Sequence, residues 1–342
     1  MKRNLYIALK LRIFWLIFRR RLISLRKLWN MFVCYFSYAF KRERSGRFPF
    51  MINIDLSNEC NADCVFCRTE KGEIYNCQPG ENPFVEKGEM DIGLYRTIID
   101  EVKDHIVIAV LYVNGEPLVY KEIYSAIKYA SERNVATMMS TNGILLTEKN
   151  ALRLIESGIC FVKVAISGFS QETYRRQARH GNVEKIKSHI VRFQELNRER
   201  GAGVLLMLDF MLYEYNTHEV EEVREFCRKL GIVFNIRPGN TRNIEVAVDF
   251  QKKGRPRAAV PVCDWPWKVL TVNWNGDVFP CCDYVIWGGL KPYRRLNVGE
   301  KSIEKLWNGK EARKIRKTHA KIGRSAIEIC KNCTRTGVAF KY

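Results

Sequence analysis

Between residues 51 and 237, short apolar runs alternate with longer stretches of mixed polarity, and no other feature of the chain restricts its fold as much. Runs near 51–56, 106–113, 135–139, 160–166, 204–211 and 232–237 have the length and composition of strands. Stretches near 91–104, 120–133, 147–157, 183–199 and 217–230 have the length of helices. Strands that alternate with helices in this way imply βαβ units and a parallel sheet, so the expected class is α/β. No internal repeat or low-complexity segment interrupts the pattern. A chain of 342 residues with an apolar fraction of 46% can bury a sizeable core and still carry an appendage.

Proteins of this construction build their sites from the loops that follow the strands. The unusual residues of this chain fall there. Cys60 to Cys67 follow the first strand, Asn114-Gly115-Glu116-Pro117 the second, Ser140-Thr141-Asn142-Gly143 the third, Ser167-Gly168 the fourth and Arg237-Pro238-Gly239 the sixth. Each alone is an ordinary strand-ending turn. Together they ring one mouth.

Cys60, Cys64 and Cys67 have C-x3-C-x2-C spacing. Thiolate sulfur is a soft donor that suits zinc or iron–sulfur clusters. Three thiolates leave one iron of a 4Fe–4S cubane open to an outside ligand, as a three-ligand zinc keeps an open position. A zinc that takes a fourth ligand elsewhere and a set of buried free thiols are the alternatives. The chain has twelve cysteines, several in short-spaced groups, and no secretory signal, which points to metal binding in the reducing cytoplasm rather than to disulfides.

With Phe66 between its second and third cysteines, the loop resembles the cluster loop of the radical S-adenosylmethionine (SAM) enzymes, Cys-x3-Cys-x-aromatic-Cys. The resemblance implies a partial (β/α)6 TIM-like barrel over residues 48–240. It also implies a 4Fe–4S cluster held by Cys60, Cys64, Cys67 and the amino and carboxylate groups of SAM. An electron from a low-potential donor such as flavodoxin or ferredoxin then cleaves SAM to a 5′-deoxyadenosyl radical that takes a hydrogen atom from substrate. By the same resemblance, Phe66 lies near the adenine. Asn114, Gly115 and Glu116 match the Gly-Gly-Glu-Pro motif that binds the methionyl amino group, with Asn114 in place of the first glycine. Ser140 and Asn142 match positions that reach the ribose or methionine, Ser167 a serine facing SAM, and Arg179 an arginine pairing with the methionine carboxylate.

A second cysteine set follows. Cys263 precedes Trp267 to Trp274, Asn275-Gly276 and Asp277 to Pro280, then Cys281-Cys282. Asn-Gly between two strand-like runs signals a hairpin that folds Cys281 back toward Cys263. Cys330-x2-Cys333 lies downstream of a basic helix expected over 302–319. Four thiolates in this order close a tetrahedral zinc site or hold a 4Fe–4S cluster. The spacing is similar to the shortened SPASM, or Twitch, appendage of radical SAM enzymes, which implies one auxiliary 4Fe–4S cluster on Cys263, Cys281, Cys330 and Cys333. That appendage spans 263–342, after a linker over 241–262. Cys282 is a spare thiol, and Cys34, Cys77, Cys160 and Cys227 read as structural. The arrangement resembles the 2-deoxy-scyllo-inosamine dehydrogenase group of the family, which oxidises a carbinol carbon. The resemblance puts Arg237 and Asp283 where substrate groups or a proton would be held, and the substrate is expected to be a sugar, aminocyclitol or lipid-linked polyol. Peptide maturases carry the same appendage and are the alternative.

The net charge of +20 is uneven: residues 1–50 carry thirteen Lys or Arg against Glu43 alone. This arm, residues 1–47, mixes basic clusters with Phe14, Trp15, Phe18, Trp29, Phe32, Tyr35 and Phe36. Its longest uncharged run, Leu28 to Phe40, is short of the roughly 20 residues a spanning helix needs. Three readings stay open: a helix lying on an anionic membrane face, an arm packed on the chain's own core or on a second subunit, or a nucleic-acid arm attached to a metal scaffold, the least expected.

Overall fold

The computed structural model describes residues 2–75, 84–239, 262–282, 292–297, 299–300, 302–331 and 333. The expected linker, except residue 262, lies outside the described residues, as do Cys77 and Asp283.

Two helices, α1 (Lys2–Arg19) and α2 (Leu25–Ala39), precede β1 (Met51–Ile54) and a small hairpin, β2 (Ile74–Tyr75) and β3 (Phe84–Val85). The core continues with α3 (Ile92–Val102), β4 (Ile108–Val110), α4 (Ile123–Glu132), β5 (Ala136–Thr141), α5 (Glu148–Glu156) and β6 (Phe161–Ile166). Then come α6 (Gln171–Arg175), α7 (Val183–Glu199), β7 (Leu205–Leu212), α8 (Val220–Leu230) and β8 (Val233–Pro238). Helix starts are capped locally: Asp91 accepts from the Leu94 amide at α3, and Asn182 from the Lys185 amide at α7. Gly231, at φ +65°, ends α8 in the left-handed conformation that favours glycine.

Six strands run parallel in the order β1-β4-β5-β6-β7-β8, the expected six-unit sheet. The C-terminal segment extends the same sheet. A short helix, α9 (Trp265–Lys268), leads into β9 (Val269–Val272), which pairs in parallel with β1, Met51 opposite Val269. β10 (Asp277–Phe279) returns antiparallel to β9, and β11 (Arg294–Arg295) forms the edge. Three helices, α10 (Ile303–Trp307), α11 (Lys310–Lys321) and α12 (Glu328–Lys331), complete the described fold.

Two expectations are corrected. The second strand spans three residues rather than eight, because the Val113 and Asn114 amides turn away to bind the Asp55 carboxylate at 3.0 and 3.1 Å. The basic helix expected over 302–319 is broken into α10 and α11 at Asn308-Gly309. Asn308 is held there by Ser45 and Arg316, at 3.0 Å each.

Side chains alternate across each strand. One set, including Ile52, Ile54, Ala109, Val162, Val164, Leu206 and Leu208, packs against the helices. The other lines the inside of the curled sheet and changes character along the strands. At the amino ends it is apolar, with Val110, Ala136, Met138, Phe161, Leu205 and Met207 closing on Leu16, Ile17, Leu22 and Cys34 of the arm. Closer to the carboxyl ends it is polar.

The arm is therefore the floor of the barrel. Arg20 inserts its guanidinium among carbonyls of the turns before β6 and β7, donating to Ile159 O at 2.8 Å and to Ala202 O at 2.5 Å. Lys27 donates to Leu22 O and Asn134 O, and Asn30 to the carbonyls of Phe48 and His105. These groups satisfy backbone acceptors that would otherwise be buried without partners.

Candidate active site and auxiliary centre

Asp55, fully buried just beyond β1, ties the first loop of the mouth to the second through the Val113 and Asn114 amides. Gly115 lies against the backbone of the cluster loop: a Cβ there would stand 2.0 Å from Ser57 O, so no other residue fits without moving it. The Glu116 amide donates to Glu59 O at 2.7 Å. Its carboxylate accepts from the Asn142 amide at 2.7 Å and the Leu118 amide at 3.1 Å. Burial pushes the Glu116 carboxyl up to about 7 against the pull of those amides. Asn142 continues the chain of contacts through its side chain, Nδ2 donating to Asn61 Oδ1 at 2.7 Å and standing 3.7 Å from Cys60 Sγ.

Cys60, Cys64 and Cys67 share this loop. Burial raises the Cys64 thiol, the neighbouring Cys67 and Cys60 raise it further, and Arg68 opposes them. The three sulfurs thus share one electrostatic neighbourhood. The loop is braced from below. Arg68, 2% exposed, donates to Asn58 O and stands 3.7 Å from the Asp63 carboxylate, which also meets His180 at 3.4 Å. Arg179 donates to the carbonyls of Asp63 and Arg68, both at 2.8 Å, which places it under the loop with Nη1 engaged by backbone. Phe66 is fully buried and packs on Tyr213 at 5.2 Å, which stacks on Tyr215 at 5.4 Å. Ser167 is buried, and its carbonyl accepts from Asn216 at 2.7 Å. Ser140 is half-buried in β5, in register with Lys163.

Inside the barrel, between mouth and floor, lies a cluster of which the sequence pointed to Arg237 alone. Asp209 of β7 is fully buried. Its carboxylate meets Arg237 Nε at 2.6 Å, Lys163 Nζ at 3.3 Å and the Asn235 amide at 2.5 Å. The Lys163 ammonium stands 5.0 Å from the centre of the Tyr112 ring. Burial would raise the carboxyl and lower both cations, but their mutual attraction wins: Asp209 is held down at about 2, and Lys163 and Arg237 are raised. Arg237 keeps 35% of its side chain exposed, so the cluster is open on that side. Gly239 follows it, and a Cβ there would fall 1.9 Å from the Tyr213 ring, which links the end of β8 to the aromatic stack beside Phe66.

The second cysteine set also converges. Cys263, Cys281, Cys330 and Cys333 line one small cavity with Trp265, Arg324 and Ile329. Cys282 is buried and is not among the residues lining it. Arg324 is 6% exposed and donates to Cys333 O at 3.0 Å; its Nε and Nη2 are buried without a hydrogen-bond acceptor among the described residues, and its charge opposes the upward push of burial on the Cys263 thiol. His319 Nε2 lies 3.6 Å from Cys330 Sγ. Cys263 precedes β9 and Cys281 follows β10, so this cavity lies at the end of the sheet opposite the Cys60–Cys67 loop.

A family model described as the Radical SAM superfamily matches residues 54–227, just over half of the chain. The chain belongs to the radical SAM superfamily. A second model, an iron–sulfur cluster-binding SPASM domain, matches residues 263–334. The cofactors of this radical SAM chain are accordingly SAM and 4Fe–4S clusters. Its residues fit them. Three soft donors share the loop at the mouth and four line the cavity behind it, where Arg324 Nε and Nη2 are buried without an acceptor among the described residues. Among the described residues no three His, Cys, Asp or Glu converge closely enough to chelate a single ion. A cubane holds its thiolates further apart than a single ion does.

Among curated relatives, a probable GTP 3′,8-cyclase of Methanocaldococcus jannaschii is 24% identical over 57% of this chain and 60% of its own length. The radical SAM chain therefore spans less than two thirds of that relative. A cofactor-modifying protein for the tungsten-containing aldehyde ferredoxin oxidoreductase of Pyrococcus furiosus is 22% identical over 74% of this chain and 79% of its own. The fold resembles BtrN, solved with AdoMet and 2-DOIA, with TM-score 0.52, 19% identity, and coverage of 84% of this chain and 93% of that one. It also resembles Streptococcus suis SuiB bound to the precursor peptide SuiA, with TM-score 0.59, 15% identity, and coverage of 81% and 69%.

Proposed function

We propose that this radical SAM enzyme takes a hydrogen atom from a carbon of a small polyhydroxylated molecule, a sugar, aminocyclitol or lipid-linked polyol, and so oxidises or epimerises it. The observation that carries this reading is the polar layer of the barrel. Lys163, Asp209, Asn235 and Arg237 form a compact donor and acceptor set on the inner face of β6, β7 and β8. Such a set suits several hydroxyls at once and is foreign to an apolar substrate. Likeness to BtrN, solved in complex with AdoMet and 2-DOIA, is consistent with it.

The bound cluster and SAM supply hydrogen-atom abstraction; the chain's own residues do the rest. Asp209, held near 2, is a poor base and serves as an acceptor that fixes a donor. Lys163 and Arg237 hold their protons and orient oxygens. The proposed base is Asp283, two residues past Cys281 in sequence. Cys263, Cys281, Cys330 and Cys333 would hold one auxiliary cluster as electron acceptor, with a low-potential donor such as flavodoxin or ferredoxin feeding the core site. Peptide maturation is the second reading, favoured by the likeness to SuiB with its precursor peptide.

The test is anaerobic turnover of reconstituted enzyme with a panel of perdeuterated sugars and aminocyclitols. Deuterium in 5′-deoxyadenosine, with mass loss or stereochemical inversion in the substrate, is the expected result. No transfer from any of the panel, together with transfer from a co-purified peptide, would replace the polyol reading with the maturase.

A further inference from the structure

We infer that the floor of the barrel is a docking surface for an anionic lipid bilayer. Helix α2 is built inside out. Its buried residues are Lys27, Asn30, Cys34 and Ser37, a largely polar stripe facing the protein. Its outer stripe is Leu25, Trp29, Phe32, Phe36 and Phe40, at helical spacing. Trp29 is 67% exposed and Phe32 56%. Their rings lie side by side, with centroids 5.6 Å apart for Trp29 and Phe32 and 4.3 Å for Phe36 and Phe40. Helix α1 adds a second exposed stripe of Leu11, Phe14, Trp15 and Phe18. A water-facing helix carries the opposite pattern, and a patch of this size marks an interaction site.

Charge selects the occupant. Half-buried Arg20 and buried Lys27 turn into backbone carbonyls and Arg26 pairs with Asp104 at 3.7 Å, but Arg12, Arg19, Arg21 and Arg42 remain exposed on the arm that carries the aromatic stripes. The arm's one acid, Glu43, is paired with Lys317 at 3.3 Å. A second copy of this face would bring like charges together. An acidic headgroup layer over an apolar interior complements both the arginines and the aromatic rings. No helix among the described residues is long and apolar enough to cross the membrane, so α1 and α2 lie in the interface rather than span it.

The direction of docking follows from the fold. The arm covers the amino ends of the strands, while the Cys60–Cys67 mouth is at the carboxyl ends. Roughly 20 Å of strand and about 10 Å of helix separate the mouth from the bilayer. The docked enzyme faces the solution, and a reacting group held at headgroup depth is out of reach. The lipid-linked variant of the substrate is thereby disfavoured against the soluble one. That consequence rests on the function proposed above, whereas docking itself is measured without turnover.

The experiment is co-sedimentation of the reconstituted full chain with vesicles of phosphatidylcholine, alone or with about a third phosphatidylglycerol, at low and high salt. Binding to the anionic vesicles at least tenfold tighter than to neutral ones, weakened by salt, is expected, with a blue shift of tryptophan emission that Trp15→Phe plus Trp29→Phe abolishes. Trp29→Ser with Phe32→Ser lowers binding at least tenfold. Arg12→Gln, Arg19→Gln and Arg21→Gln together erase the preference for anionic vesicles. All three variants change exposed residues and keep the wild-type iron content. Absence of vesicle binding at low salt, binding indifferent to the serine and the glutamine variants, or a dimer in solution that shields Trp15 and Trp29 overturns the inference.

Discussion

At the scale of single residues, the mouth depends on a few buried carboxylates. Glu116 is the one whose charge is most at odds with its surroundings. With its carboxyl raised from 4.5 to about 7 in the fold, it holds a proton between these limits that the unfolded chain has released. Folding takes up that proton, so stability of the cluster-free protein falls as pH rises through this window, by about 3 kcal/mol in all, and is flat above it. Urea midpoints from pH 5 to 8 should show this slope, and Glu116→Gln should remove it. Asp209 has the opposite sign. Its folded carboxyl lies near 2, below the ordinary 3.8, so its contribution is complete above about pH 4 and is lost as pH falls through 2. Asp209→Asn leaves Lys163 and Arg237 facing each other without a counter-charge and should cost about 3–5 kcal/mol in the urea midpoint at neutral pH. Glu116 was legible in the sequence because it follows Gly115 in a recognisable motif. Lys163 and Asp209 were not read, although a signal was present: each is a lone charge within an apolar strand. Asp55 carries no local signature, because its partners Val113 and Asn114 come from a loop distant in sequence, and the Asp63–Arg68 pair sits inside an irregular loop where no periodicity marks it.

At the scale of elements, the six parallel strands and the five long helices of the core followed from hydrophobic pattern, with α7 on the expected residues 183–199, while the short α6 and the β2–β3 hairpin were not read. The departures arise where long-range polar contacts take over the backbone, at Asp55 for β4 and at Asn308 for the break between α10 and α11. The arm was the least legible element. Its charges form no single stripe in sequence, because some cations turn inward to cap carbonyls and others stay in solvent. Only the fold separates the two sets. Arg20 and Arg19 illustrate it. Arg20→Met removes a charged donor from the carbonyls of Ile159 and Ala202 and should destabilise the protein by about 2–3 kcal/mol. Arg19→Met, at an exposed position, should change stability by less than about 0.5 kcal/mol. Thermal or urea unfolding of the two variants side by side decides whether the arm is part of the barrel. Equal, small effects would make it an independent appendage.

At the scale of the molecule, β9 joins the two cysteine sets into one body. It is hydrogen-bonded in parallel to β1, so the loop holding Cys60, Cys64 and Cys67 and the hairpin carrying Cys281 belong to one sheet and cannot move independently without breaking it. Arg316 adds a second tie. Its guanidinium, fully buried, reaches Pro266 O, Glu43 O, Trp307 O and Asn308 and so fastens α9, the end of the arm and the C-terminal helices together. Two sites on a shared scaffold with separate ligands should load separately. Reconstituted wild type should hold about eight irons, and a variant with Cys60, Cys64 and Cys67 all changed to Ala about four. That variant isolates the auxiliary site, where Arg324 becomes measurable. A buried guanidinium beside the thiolates favours the reduced, more negative state of whatever they bind. Arg324→Gln in the triple-Ala background should therefore retain about four irons and shift the midpoint potential downward in an EPR-monitored titration. An unchanged potential would mean that Arg324 serves only to hold the Cys333 carbonyl. Loss of the remaining iron on Arg324→Gln, with Arg324→Lys restoring it, would make the guanidinium part of what assembles the site rather than what tunes it.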